Sequence, residues 1–259
     1  MLLAVDIGNT EITLGLFDRE RLMSHWRLTA TAGRTSDEWA ATVTSYLSQA
    51  GRSTHEIRAV VLASVAPMIT ESLSEGIERA VGVSALEVGP DAGLPVVLDV
   101  EEPHTVGADR VVNTLAAARL YQRDTIVVDF GTATTFDCIT ADCRFLGGVI
   151  APGVRTAADN LTRSAAKLPA TDLVPPPRVI GRRTEDCIRA GVVFGTVDGV
   201  DGIVRRIKSE WPTTDVPYVV ATGGLAEKIA PLSDEIEHLE PNLTLIGLRI
   251  AAQELGSVG

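Results

Sequence analysis

Cysteine, aromatic residues and basic charge are all scarce in this chain of 259 residues, and each scarcity removes a class of protein. Three cysteines (Cys138, Cys143, Cys187) cannot build a disulfide scaffold, and no histidine stands at ligand spacing beside Cys138 and Cys143 to complete a zinc site. They fit reduced thiols, so the chain is expected to be cytoplasmic, and the sequons at Asn160 and Asn242 carry no weight. Lys and Arg number 23 against 34 Asp and Glu; with the signs interspersed, this leaves no basic footprint for nucleic acid. No apolar run approaches membrane-spanning length, and no basic region precedes the apolar residues 2–5, which read as a strand and not as a signal peptide. There is no Gly-x-x-x-x-Gly-Lys-Ser/Thr, Gly-x-Gly-x-x-Gly, Gly-x-Ser-x-Gly or His-Glu-x-x-His, so several common catalytic machines are absent. The four histidines (His25, His55, His104, His238) are scattered and read as surface residues.

What is present begins with a repeated motif. Asp6-Ile7-Gly8-Asn9-Thr10 recurs, altered, as Asp129-Phe130-Gly131-Thr132-Ala133-Thr134-Thr135, about half the chain further on. Each copy follows a short apolar run (residues 2–5, then 125–128) and leads into another β-prone stretch (12–17, then 134–140), so each reads as a strand-turn-strand hairpin. Gly8 and Gly131 would allow positive φ and close backbone approach, letting main-chain N–H groups and Thr or Asn side chains form a nest for phosphate oxygens. The aspartate at the lip could hold a cation or a cation-bound water. The plain alternative is that Asp and Gly merely build two tight turns.

With 45% apolar residues the chain can bury a substantial core. The first half reads as three strands (2–5, 12–17, 21–28), a helix from about Ser36 as N-cap, a buried strand at 58–63, a helix at 69–81 and a short strand at 86–88. A Gly/Pro-rich passage at 89–103 leads to an alanine-rich helix ending near Tyr121. The second half repeats the order, with strands at 125–129, 134–140 and 145–150 and a helix after Pro152-Gly153. Residues 168–183 carry four prolines and read as a loop. A long helix at 184–207, interrupted by glycines 191, 195, 199 and 202, precedes a buried strand at 218–221 and a closing helix from about Thr244. This pattern predicts an α/β chain with a duplicated ribonuclease-H-like (actin-like ATPase) fold. Two similar halves, 1–117 and 118–259, would each carry a mixed sheet flanked by helices, with a nucleotide in the cleft between them.

Three further clusters carry chemistry. Gly107-Ala108-Asp109-Arg110 opens a helix, either as a capping charge pair or as a general base beside an anion clamp. An aspartate can accept the proton of an attacking hydroxyl late in phosphoryl transfer, and an arginine can hold a carboxylate or phosphate through two donors. Gly147-Gly148 with Pro152-Gly153, and Thr222-Gly223-Gly224, both join a strand to a helix, where glycines allow tight turns or let a ligand approach the backbone, so either could be structural or ligand-binding. The Gly223-Gly224 pair is expected to lie against the base and ribose.

Taken together, these residues resemble the type III pantothenate kinases, coenzyme A pathway enzymes of the actin-like class. The matching blocks are Asp6-Ile7-Gly8-Asn9-Thr10 with Leu14-Gly15-Leu16-Phe17, Arg34-Thr35 with Asp37-Glu38, and Val106-Gly107-Ala108-Asp109-Arg110 with Asn113. They continue with Asp129-Phe130-Gly131-Thr132-Ala133-Thr134-Thr135, Gly147-Gly148 with Pro152-Gly153, and Ile180-Gly181 with Thr184. Gly191, Gly195, Gly202, Thr222-Gly223-Gly224 and Leu243-Thr244-Leu245 with Gly247-Leu248 complete the series to the far end. The resemblance implies ATP-dependent phosphorylation of pantothenate to 4'-phosphopantothenate, the first step of coenzyme A biosynthesis. By that resemblance Asp6, Ile7, Gly8, Asn9, Thr10, Glu11, Ile12 and Thr13 form the ATP phosphate loop, and Thr132 touches ATP from the second hairpin. Asp109 is implied as the base, with Gly107, Ala108, Asp109 and Arg110 lining the pantothenate site. Asp129 is implied to bind a monovalent cation (K+ or NH4+), required alongside Mg2+. Thr184 is implied to reach the substrate of a neighbouring subunit in a homodimer. A non-catalytic, nucleotide-binding regulatory or accessory relative of the same fold is the alternative reading.

Overall fold

The computed structural model describes residues 1–257, folded as two compact units. The first unit holds Met1–Leu120, Cys143–Phe145 and Leu243 onward; the second holds Tyr121–Asp142 and Leu146–Asn242.

In the first unit β1 (Leu2–Ile7), β2 (Glu11–Asp18) and β3 (Arg21–Thr29) form an antiparallel meander. Alternate residues of these strands point to opposite faces, and both faces are apolar in β1 because both are covered. Helix α1 (Ser36–Gln49) is capped by Thr35, one residue before the expected Ser36. The Thr35 side chain accepts from the Glu38 N–H while Glu38 reaches back to the Thr35 N–H, a reciprocal box that Ser36 has no glutamate in register to make. Strand β4 (Ala59–Ser64) pairs in parallel with β1, and after α2 (Pro67–Val81) strand β5 (Ala85–Val88) pairs in parallel with β4. The sheet order is therefore β3-β2-β1-β4-β5. Helices α1 and α2 cover one face through Trp39, Val43, Leu47, Leu73 and Ile77. A two-residue strand, β6 (Val97–Leu98), follows, and then α3 (Ala108–Tyr121).

The second unit repeats the plan. Strand β7 (Thr125–Phe130) pairs antiparallel with β8 (Ala133–Ile139), and β9 (Arg144–Pro152) follows. Arg144 and Phe145, which belong with the first unit, pair with β6. Helix α4 (Val154–Ser164) follows Gly153, and α5 (Thr184–Glu210) runs 27 residues without a break. The glycines expected to interrupt α5 do not. Each costs helix stability of about 1 kcal/mol relative to alanine, but Ile188, Val193, Val197, Val200 and Val204 bury one stripe of the helix in the core. Strand β10 (Tyr218–Thr222) pairs in parallel with β7, and after the short α6 (Ala226–Ile229) the two-residue β11 (His238–Leu239) pairs with β10. The order β9-β8-β7-β10-β11 repeats that of the first sheet, with β6 added as a sixth strand beyond β9.

The last helix, α7 (Leu243–Glu254), packs in the first unit beside β1, and with α3 fills the other face of the first sheet through Val112, Leu115, Leu248 and Ala251.

Candidate active site

The first hairpin closes between β1 and β2. The Gly8 N–H donates to the Glu11 carbonyl at 3.0 Å, and the Thr10 carbonyl accepts the Ala30 N–H at 3.0 Å. Gly8 does not have positive φ, and neither does Gly131, so that part of the expectation is corrected. What excludes a side chain at Gly8 is space: a Cβ there would lie 2.9 Å from the Glu11 carbonyl oxygen. Asp6 is half-buried at the end of β1, opposite Thr13, and Asn9, Thr10 and Glu11 form the exposed tip. Ile7 and Ile12 are buried and anchor the turn to the core beneath.

In the same unit the Gly107–Arg110 cluster sits at the start of α3. The Asp109 carboxylate folds back on its own helix start: Oδ1 accepts the Arg110 N–H at 2.8 Å, and a Cβ on Gly107 would stand 2.5 Å from it. Gly107 is therefore required by this side chain's position. Ala108 is buried, and the Arg110 guanidinium lies 4.9 Å from the Phe145 ring centroid. Burial pushes the Asp109 carboxyl above the usual carboxylate range, opposed in part by the Arg110 N–H and the Arg110 charge. A carboxylate so placed is a better proton acceptor than an exposed one.

The second unit carries the second hairpin. Gly131 N–H donates to the Ala133 carbonyl at 3.0 Å, leaving Gly131 and Thr132 exposed at the tip. Half-buried Asp129 ends β7 opposite Thr135 on one side and Thr222 on the other. Gly223 follows with φ of 92°, and a Cβ on it would meet the Asp129 Oδ1 at 2.3 Å and the Phe130 nitrogen at 2.7 Å. Only glycine accepts both that backbone and that contact. Among the described residues no group of three His, Cys, Asp or Glu side chains is placed to hold a metal ion. A cation at Asp129 would depend on carboxylate, backbone and ligand oxygens, the donor set of hard cations such as K+ and Mg2+ and not of zinc.

Thr184 is the first residue of α5 and is exposed. It stands at one end of a groove of about 700 Å³ lined by α4 and α5, including Ala157, Leu161, Gly191, Gly195 and Gly199. The four histidines are all exposed, as read from sequence.

The sequence profile of type III pantothenate kinase matches residues 2–206. The chain is 45% identical over 250 residues to the type III pantothenate kinase of Moorella thermoacetica, covering 96% of this chain and 98% of that one. To that of Geobacter sulfurreducens it is 44% identical over 252 residues, covering 96% and 97%. The chain belongs to the type III pantothenate kinase family. Among solved structures it is similar to the activator of 2-hydroxyisocaproyl-CoA dehydratase from Clostridium difficile with bound ADPNP, at a TM-score of 0.57, 12% identity, and coverage of 98% of this chain and 95% of that one. It is similar also to a ROK family glucokinase from Streptomyces griseus in complex with glucose and AMPPNP, at 0.52 and 14%, covering 97% and 99%. At such identities the likeness speaks for the fold, and it agrees with a duplicated ribonuclease-H-like architecture.

Several blocks shared with the type III pantothenate kinases have structural work in this chain. Thr35 and Glu38 cap α1, the Arg34 guanidinium lies 3.9 Å over the Trp39 ring and bonds Thr42, and Asp37 pairs with Arg79 of α2. The Thr244 hydroxyl donates to the buried Asn113 Oδ1 at 2.9 Å, tying α7 to α3. Gly247 brings α7 against the Val112 carbonyl. Residues outside every block also touch the candidate site: Thr156 donates to the Thr132 carbonyl at 2.7 Å, a contact that no local sequence signal announces.

Proposed function

We propose that this chain transfers the γ-phosphoryl group of ATP to the primary hydroxyl of pantothenate, giving 4'-phosphopantothenate and ADP in the first step of coenzyme A biosynthesis. Family membership supports the reaction, and the environment of Asp109 is the observation that carries the mechanism. As the hydroxyl oxygen bonds to phosphorus and the bond from phosphorus to the ADP oxygen breaks, the hydroxyl proton passes to Asp109. Burial favours the protonated form of that carboxyl, which suits a group that must end the step holding a proton. Arg110, Gly107 and Ala108 would line the pantothenate site, with Arg110 offered to the substrate carboxylate.

The β1–β2 turn, Asp6 to Thr13, would hold the nucleotide phosphates, and Thr132 would touch ATP. Magnesium would neutralise the phosphates, and a monovalent cation at Asp129 would offset the repulsion between carboxylate and nucleotide. Rates well above those in sodium are expected in potassium or ammonium buffer; equal rates would remove the Asp129 assignment. The need for ATP, and three cysteines with no disulfide among them, support a cytoplasmic setting.

We also propose a homodimer formed through the α4–α5 groove. Leu161, which lines this groove, is 38% exposed, and the segments that lead into α4 and α5 carry exposed apolar side chains, Ile150 at 66% and Ile180 at 85%. A Cβ on Gly191, Gly195 or Gly199 would meet nothing within 4 Å, so this stripe of α5 can take a close-packed partner helix. Thr184, at the end of that stripe, would then be donated to the partner's substrate. An assay coupled to ADP release, run with and without pantothenate, tests the activity. ADP release that does not depend on pantothenate, with nucleotide binding intact, would favour the non-catalytic reading.

A further inference from the structure

The turn between β7 and β8 rests on the start of α4. The Thr132 carbonyl accepts the Gly153 N–H at 3.2 Å and the Thr156 hydroxyl at 2.7 Å. A Cβ on Gly153 would stand 2.3 Å from the Thr132 oxygen and 2.5 Å from the Gly131 oxygen. Gly153 has φ −65° and ψ 155°, an extended conformation open to any residue, so contact alone excludes a side chain there. Helix α4 is itself fixed by Val154 and Ala158, buried in the core of the second unit. The first hairpin has only a partial counterpart, the Ala30 N–H on the Thr10 carbonyl, with no helix starting at that point.

We propose that the first turn of α4 is the bed on which the second phosphate hairpin is set, with Gly153 and Thr156 as positioning residues for the Thr132–Ala133 peptide. The peptide is planar and trans, so a carbonyl held toward α4 turns the Ala133 N–H to the opposite side. That N–H is the donor presented to a phosphate oxygen, beside the Thr132 side chain. Losing either grip lets the plane rotate and blurs the donor without touching the acceptor site around Asp109. This inference rests on the nucleotide role of the hairpin proposed above.

The test is steady-state kinetics with both substrates varied, alongside thermal melting. Thr156→Val, which keeps the shape and removes the hydroxyl, should raise the KM for ATP about fivefold. That is the factor for one hydrogen bond of about 1 kcal/mol at 1.4 kcal/mol per tenfold. The KM for pantothenate should stay within about twofold, and Thr156→Ser should restore the ATP value. Gly153→Ala should raise the KM for ATP further, because a backbone carbonyl must move. Thr132→Glu, which sets a negative charge at the tip, should weaken ATP binding at least as much. If Thr132→Glu weakens ATP binding but Thr156→Val does not, the positioning role is wrong and the hairpin's nucleotide role stands. Should Thr132→Glu leave the KM for ATP unchanged, the nucleotide role falls and the positioning role with it. A Thr156→Val variant with both KM values raised alike and a lower Tm, unrescued by serine, would mark a merely structural contact and overturn the inference.

Discussion

Gly247→Ala would place one methyl group where two helix backbones meet. The added Cβ would lie 2.2 Å from the Val112 carbonyl oxygen and 2.8 Å from its carbonyl carbon. Neither atom can swing aside as a side-chain tip could, so α7 and α3 must separate by roughly 1 Å to recover an ordinary contact. Overpacking of this kind costs about 1–3 kcal/mol, and a rigid backbone obstacle points to the upper end. Alanine returns about 1 kcal/mol of helix propensity, leaving a net loss of about 2 kcal/mol. For a chain of this size that lowers Tm by roughly 4–8 °C. The effect should also reach catalysis. Val112 lies one turn beyond Asp109, the proposed base, on α3, and a reacting group misplaced by about 1 Å can lose up to about 100-fold in rate. Differential scanning calorimetry and the coupled ADP assay read the two effects separately. An unchanged or raised Tm would refute the reasoning, since it would mean that the helices do not meet at Gly247 and only propensity had changed.

Asp109 and the glycine stripe of α5 give further tests. Asp109→Asn should nearly abolish turnover while ATP still binds, measured by single-turnover kinetics and calorimetric titration; most of the wild-type kcat remaining would rule out Asp109 as the base. Its stability effect has a definite sign. Because the folded-state pKa of this carboxyl is raised, folding binds its proton more tightly than the unfolded chain does, and the fold is penalised once pH rises through that pKa. The asparagine variant should therefore melt at or above the wild-type temperature at neutral pH, with the advantage shrinking as pH falls through the raised folded-state pKa and gone below the unfolded carboxylate value near about pH 3.9. The wild-type kcat/KM should correspondingly fall, on acidification, at a higher pH than an exposed aspartate would give. For assembly, Gly195→Ala gives opposite signs in the two states. In an isolated chain the open site and better propensity should stabilise α5 by about 0.5–1 kcal/mol, whereas a partner helix packed on the glycine stripe would be pushed away. Analytical ultracentrifugation that finds the same dissociation constant for wild type and variant would exclude that face as the dimer interface.

Both hairpins could be read directly from sequence because everything they need is local: an apolar run, an Asp-x-Gly turn and a second β-prone run within about a dozen residues. The same holds for α1, α2, α3 and the strands from β1 to β5, whose periodicity and end signals agree. Locality also sets the limit. Ser36 and Thr35 are equally good caps by composition, and only the pairing with Glu38 chose between them. The two-residue strands β6 and β11 are too short for any period to appear, and exist because a neighbouring edge offers them hydrogen bonds. In α5 the glycines read as breaks, yet burial of the opposite stripe on the sheet holds the helix continuous.

At the candidate site the sequence by itself supplied the chemical groups. It supplied the aspartates at two equivalent strand ends, an Asp-Arg pair at a helix start, and a family resemblance carried by ordered blocks from one end of the chain to the other. Tertiary structure decided why particular residues had to be there. Gly8 is a matter of space and not of φ, Gly223 makes room for Asp129, Gly107 makes room for Asp109, and Gly247 lets α7 reach α3. Thr156, which grips Thr132 from 24 residues away, carries no local mark at all. Turn and strand preferences are written in neighbouring residues, whereas close approach and burial arise only when distant segments meet, and those contacts hold the chemical groups in position.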